Sequence, residues 1–203
     1  MAYVRLLVRL HFWSIMVLLH TASAHFFHVD PFGSWKFPGS GALRLVDGIL
    51  MPSIGMGLVC RDGNKCHNAQ NSAETFLRLG GRLLDTAPTY GHGRSHRLLG
   101  QALRSSVVSR EDIWIVSKVP AAKMGYNTTL QCVRHTLAEL GVSYLDVALI
   151  HRPNNAAVEK IRTIYLDQEL RLSTWRALQE ARRLGLIRYA GVSNFGPSYL
   201  NEL

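Results

Sequence analysis

Three apolar runs in this chain each stop at a side chain able to do chemistry: LLDTA reaches Asp85, WIVSK reaches Lys118 and VALIH reaches His151. Lys118 lies 33 residues beyond Asp85, and His151 lies 33 beyond Lys118. A step of about 30 residues holds one strand, one crossover helix and short loops, so each interval reads as one βα unit of a parallel sheet. The carboxyl ends of successive parallel strands form one rim, where barrel and doubly wound folds both assemble active sites. The phenol of Tyr90 follows five residues after the aspartate. A carboxylate, a phenol, an ammonium and an imidazole at one rim are the parts of a general acid–base site.

The elements that must position these groups are legible around them. LRLV and ILM flank Asp47-Gly48, a β-hairpin signal over 43–51, and 54–59 reads as the first strand of the parallel series. Ala73, Phe76 and Leu77 mark a helix ended by Gly80-Gly81, and 82–87 reads as the next strand. Leu98, Leu99, Ala102 and Leu103 mark a second helix before the strand 113–118. Leu130, Val133, Leu137 and Leu140 mark a third, closed by Gly141 ahead of the strand 145–151, with Thr128 or Thr129 expected as its N-cap. The stretch 154–172 has little pattern and is expected to be a loop over the site; Ser173 or Thr174 then caps a helix through Ala177, Leu178, Ala181 and Leu184. A fifth strand, 187–192, ends in Ser193-Asn194-Phe195. Five strands and four helices make an α/β chain.

Composition narrows the class. The 203 residues are 47% hydrophobic and 18% charged, which fits one globular domain rather than a disordered chain. The net charge is +9, but the arginines are scattered rather than striped with aromatics, so nucleic acid is not an expected partner. Cys60, Cys66 and Cys132 lack CxxC spacing, and no metal site is expected. Cys60 and Cys66 flank RDGNK and could pair in an oxidising compartment.

Residues 1–24 resemble a secretory signal peptide: Arg5 and Arg9 precede an apolar stretch over 12–19, and Ala22-x-Ala24 supplies a cleavage pattern. That stretch is too short for a stable membrane span, which needs about 20 apolar residues. The expected address is the secretory pathway or the cell exterior if the leader works, and the cytoplasm otherwise. Asn127-Thr128-Thr129 is a glycosylation sequon that only a translocated chain would use. Residues 25–42 read as an irregular tail, and 43–203 as the folded domain.

The segments DGILMPSIGMG, GGRLLDTAPTYGHG, REDIWIVSKV, LAELGVSYLDVALIHRP and GLIRYAGVSNF resemble the aldo-keto reductases, in order and from about Leu43 onward. The resemblance implies a (β/α)8 TIM barrel plugged by a short hairpin, of which this chain would carry about five of eight strands. It implies NAD(P)H-dependent reduction of an aldehyde or ketone to an alcohol, with NADPH the expected cofactor and NADH the alternative. Asp85, Tyr90, Lys118 and His151 match the family's catalytic positions; Asp85, Ser193 and Asn194 match cofactor-binding ones.

The residue types suit that reaction. A carbonyl that receives hydride becomes an alkoxide needing a proton, and a phenol near pKa 10 gives one readily only if its surroundings shift it. A neighbouring ammonium favours the phenolate, a carboxylate holds the ammonium, and an imidazole can orient the carbonyl oxygen. Tyr90 is thus the expected general acid, Lys118 its tuner, Asp85 the tether and His151 the orienter.

Three departures qualify the resemblance. His96 stands four residues before Gly100, where many members are acidic; Val59 or Cys60 stands where many have a pocket tryptophan; and the sequence stops after the fifth strand. Open sheet edges would then favour self-association. The competing expectation is a non-catalytic binding or regulatory protein, or an inactive fragment, on the same scaffold.

Overall fold

The computed structural model describes residues 42–45, 47–60, 66, 68–154 and 164–203, with the strand pairing of three two-residue segments nearer the amino terminus. These segments are β1 (Leu7–Val8), β2 (His28–Val29) and β3 (Trp35–Lys36). The signal peptide and tail readings otherwise fall outside the described residues.

The main sheet is built from β6 (Met56–Gly57), β7 (Leu83–Asp85), β8 (Trp114–Val119), β9 (Leu145–Ile150) and β10 (Ile187–Ser193), all parallel, with β1 alongside β10. From β6 to β10 neighbours in the sheet are neighbours in the chain. A doubly wound sheet reverses its strand order at a switch point; this one does not, so the architecture is the successive winding of a barrel. The chain is an α/β protein forming part of a TIM barrel.

Strand alternation separates two apolar layers. Leu84, Ile115, Ala148 and Ile150 face the helices and pack with Ala73, Leu99, Val133, Leu137 and Leu178. Leu83, Trp114, Val116, Val147 and Leu149 face the other way, into the barrel interior, where Met51 joins them. Met51 belongs to the hairpin β4 (Ala42–Arg44) and β5 (Leu50–Pro52), and the Tyr189 hydroxyl donates to Asp47 Oδ2 in its turn at 2.6 Å. The hairpin therefore plugs the interior, as expected. Period-2 geometry then decides the rim: Asp85 continues the face of Leu83, Lys118 that of Val116, His151 that of Leu149 and Ser193 that of Tyr189.

The crossover helices are α1 (Ala69–Arg78), α2 (Arg94–Ser105), α3 (Tyr126–Leu140) and α4 (Ile164–Arg183); a short α5 (Pro197–Leu200) follows β10. Gly141 ends α3 at φ +69°, a left-handed conformation that costs a residue with a Cβ but not glycine.

Two helix starts differ from expectation. The N-cap of α3 is Gly125; the Thr128 and Thr129 hydroxyls instead donate back to the carbonyls of Met124, at 2.8 Å, and Lys123, at 3.2 Å. Helix α4 begins at Ile164, so the expected loop is helical from there, and Thr174 is mid-helix rather than capping. Its hydroxyl donates to Leu170 O at 2.6 Å and accepts the Gly125 N–H at 2.8 Å, tying α4 to the start of α3. That use of a threonine is set by a contact 49 residues away and leaves no local pattern.

Among the described residues no helix is long and apolar enough to cross a membrane. Asn127 is exposed in the first turn of α3.

Candidate active site

Asp85, Tyr90, Lys118 and His151 meet at the carboxyl rim. The Lys118 Nζ donates to Asp85 Oδ1, to the Thr86 carbonyl at 3.1 Å and to the Tyr90 hydroxyl at 3.1 Å. These are three acceptors for three N–H groups, an arrangement that an ammonium satisfies and a neutral amine does not. The Tyr90 and His151 rings meet edge to face with centroids 5.9 Å apart. Lys118 is 4% exposed and His151 9%, so the polar groups sit beneath the rim rather than on the surface.

Burial and charge pull each group in opposite directions. Burial opposes the charge on Lys118, yet Asp85 and Tyr90 outweigh it and hold the ammonium above its ordinary pKa. Burial pushes the Asp85 carboxyl upward, against the pull of the Lys118 charge. The Tyr90 phenol is also pushed upward, chiefly by burial; Lys118 lowers it and Asp85 raises it. Lys118 thus tunes the phenol in the expected direction without overcoming desolvation, and Asp85 opposes it. His151 falls to about 4, first through burial and then through the charges of Lys118 and Arg152. It is a neutral imidazole at neutral pH.

Ser193 and Asn194 close the site on the β10 side. The Asn194 amide donates to the His151 carbonyl at 2.8 Å and to Ser193 Oγ at 3.0 Å. Asn194 has φ +61°, a conformation uncommon away from glycine and concentrated at functional sites.

Several supporting residues were not among the sequence candidates. Ser95 on α2 donates to Leu58 O at 2.6 Å and shares a hydrogen bond with Thr86 Oγ1 at 3.3 Å, tying the Tyr90 loop to two strands. His96 is fully buried, bonded to Glu139 Oε2 at 3.0 Å and to Ser117 Oγ at 3.1 Å, so the missing acidic residue is replaced by an imidazole with an acid behind it. Cys60 and Cys66 form a disulfide, and Gly91, beside Tyr90, donates its N–H to Cys60 O at 2.9 Å. A Cβ on Gly91 would stand 2.2 Å from Cys66 Sγ, so only glycine lets this loop pass so close to the disulfide. Ser95, Thr86, Ser117 and Glu139 gave no sequence signal beyond polar residue type, whereas His96 stood out as a departure from an acidic family position and Cys60 and Cys66 as a possible pair flanking RDGNK.

A singly wound parallel sheet with an interior hairpin and an acid–base cluster at its carboxyl rim defines a barrel enzyme class. The profile of the aldo/keto reductase family matches residues 53–203, and the chain belongs to that family. It is 35% identical over 162 residues to the glyoxal reductase of Bacillus subtilis, covering 79% of this chain and 52% of that protein. It is 33% identical over 162 residues to the 9,11-endoperoxide prostaglandin H2 reductase of Trypanosoma cruzi, covering 79% and 50%. Among solved structures, the Bombyx mori aldo-keto reductase in complex with NADP superposes with a TM-score of 0.64 at 26% identity, covering 79% of this chain and 52% of that one. The chain spans about half the length of the curated relatives it matches.

Proposed function

We propose that the site reduces an aldehyde or ketone to an alcohol with NADPH, NADH being the alternative donor. The observation that carries this reading is the buried Lys118 ammonium bridging Asp85 and the Tyr90 hydroxyl, beside a neutral His151. Tyr90 donates the proton that completes the alcohol. Lys118 stabilises the phenolate left behind, and Asp85 holds Lys118 in place. Neutral His151 can donate one N–H to the carbonyl oxygen and fix its position between the two rings without adding a second charge. The proton returns to Tyr90 from solvent.

The residues present fit one end of a nicotinamide cofactor. The Asn194 amide nitrogen is occupied within the protein, which leaves its carbonyl oxygen to accept an amide N–H, and Ser193 lies beside it. When bound, the reduced cofactor supplies the hydride. NADP in the Bombyx mori relative supports the same cofactor class here. The test is oxidation of NADPH by the purified chain in the presence of glyoxal, followed by absorbance, with Tyr90→Phe as control. Turnover that survives Tyr90→Phe undiminished would overturn the assignment.

We also propose entry into the secretory pathway through residues 1–24 and self-association through the sheet edges. Expression in eukaryotic cells tests the first: a mature amino terminus after Ala24 and an endoglycosidase-sensitive mass at Asn127 are expected. An oligomer by light scattering is the expected result for the second.

A further inference from the structure

Arg152 stands between two buried residues at the mouth of the site. His151 and Pro153 are buried, whereas Arg152 is exposed. The backbone on both sides of it is pinned: the Asn194 amide holds the His151 carbonyl at 2.8 Å, and the Arg171 guanidinium holds the Pro153 carbonyl at 3.2 Å. The His151 N–H is fixed in addition, to Val119 O at 3.0 Å. Arg152 is thus anchored at the rim by its main chain and leaves its guanidinium toward solvent.

Arg97, Arg110, Arg171, Arg176, Arg183 and Arg188 each meet a carboxylate, and among the described residues Arg152 meets none. The acid of the rim, Asp85, is already held by Lys118. Arg152 nevertheless lies near enough to act on both Tyr90 and His151, lowering the pKa of each. A cation on the residue that follows the orienting imidazole, fixed by its backbone and unmatched by an acid among the described residues, suits an anionic group on whatever the two rings hold.

We propose that Arg152 is a specificity-determining residue that binds the carboxylate of an anionic aldehyde or ketone substrate while the carbonyl lies between Tyr90 and His151. The proposal rests on the carbonyl-reductase reading and adds the substrate class to it. A guanidinium suits the role because it grips a carboxylate through two parallel N–H donors and keeps its charge at any working pH. The carboxylate would then be set by the residue adjoining one of the two groups that hold the carbonyl, which favours oxo acids and acid-bearing aldehydes over neutral ones of the same size.

The experiment uses the full chain and a matched pair, 4-carboxybenzaldehyde and its neutral methyl ester, with Arg152→Gln and Arg152→Lys. The expected loss in Arg152→Gln is about 10- to 100-fold in kcat/KM for the acid, carried mainly by KM, which is the scale of a charged hydrogen bond. The ester should change by less than about threefold, and Arg152→Lys should recover part of the loss. Equal losses for acid and ester, or no loss for either, would overturn the proposal, as would a shift confined to the KM for NADPH, which would assign the guanidinium to a cofactor phosphate. Wild-type chain that reduces neither compound would count against the reductase reading, and a benzoate titration followed by NMR then decides Arg152 on its own. Saturable binding lost in Arg152→Gln sustains the proposal; the absence of saturable benzoate binding in wild type sinks it.

Discussion

The two ends of the sheet each bury a carboxylate among cations, and they use it differently. At the amino-terminal end of β9, Asp146 is fully buried and accepts from Arg110 Nη2 at 2.7 Å, Ile115 N at 2.9 Å and Arg188 Nη1 at 3.0 Å. Both arginines are further seated on aromatic rings, Arg110 over Tyr144 at 4.1 Å and Arg188 over Trp114 at 5.2 Å. At the carboxyl rim, Asp85 meets a single cation among the described residues, and that cation is shared with the Tyr90 phenol. Satisfied on all sides, the first carboxylate fastens strands and loops together. The second leaves hydrogen-bonding capacity over for a reacting molecule. Removing one partner of a buried, saturated cluster is costly to stability, whereas the rim can lose a reacting group and keep its fold.

The largest expected effect sharpens this contrast at the rim. Tyr90→Phe should lower carbonyl reduction by about 10²–10⁴-fold, the usual worth of a positioned general acid, while the urea midpoint stays close to that of the parent. A folded variant with near-parental turnover would mean that Tyr90 is a packing residue like those at the base.

The base should answer the other way. Asp146→Ala takes the shared carboxylate from two half-buried guanidinium groups and leaves the buried Ile115 N–H without its acceptor, for an expected loss of about 2–4 kcal/mol in urea unfolding. A loss under about 1 kcal/mol would show that the cluster fastens little and would erase the distinction between the two ends.

The rim should also carry a pH dependence. Burial lowers His151 to about 4 from an unfolded value near 6.5, so between those values the unfolded chain binds the proton more readily. Stability present above pH 6.5 is therefore lost as pH falls toward 4, by about 2–3 kcal/mol for this group. His96, also lowered first by burial, adds to the same slope. Unfolding free energies measured from pH 7 to 4 should fall less steeply in His151→Gln than in the parent, and parallel curves would exclude this source.

The smallest effect joins the two halves of the rim. The Cys60–Cys66 disulfide closes a loop of six residues' separation, and its reduction should cost about 2 kcal/mol through the unfolded chain. Because Gly91 rests against it, reduction should also loosen the segment holding Tyr90, seen as faster amide exchange at Gly91 than at Asp146. Equal exchange changes at both positions would place the disulfide's influence outside the rim.

How much could be read in advance follows from the range of each interaction. Asp85, Lys118, His151 and the Ser193-Asn194 pair were legible because apolar alternation fixes which face a residue takes, and the 33-residue steps fix which ends share a rim. The hairpin was legible from its DG turn, and its place as a plug followed from the family resemblance. The start of α4 was not, because the charged stretch before Ser173 shows no clean helical period and its ordering depends on Thr174 reaching Gly125. Arg152 was visible as a residue, but that it meets no carboxylate among the described residues, with Asp85 already held by Lys118, emerges only from the fold.

The sequence by itself determined the order of elements, the shared rim of Asp85, Lys118 and His151 and, through its ordered motifs, the resemblance to the family. Local periodicity and spacing suffice for the first two, since each is decided within one strand or one βα unit. Only the tertiary structure decided that Lys118 spends all three donors, that burial outweighs its pull on Tyr90, and that His151 stays neutral. Those outcomes depend on how much water is excluded and which partners arrive from distant segments, and desolvation and charge act through space rather than along the chain.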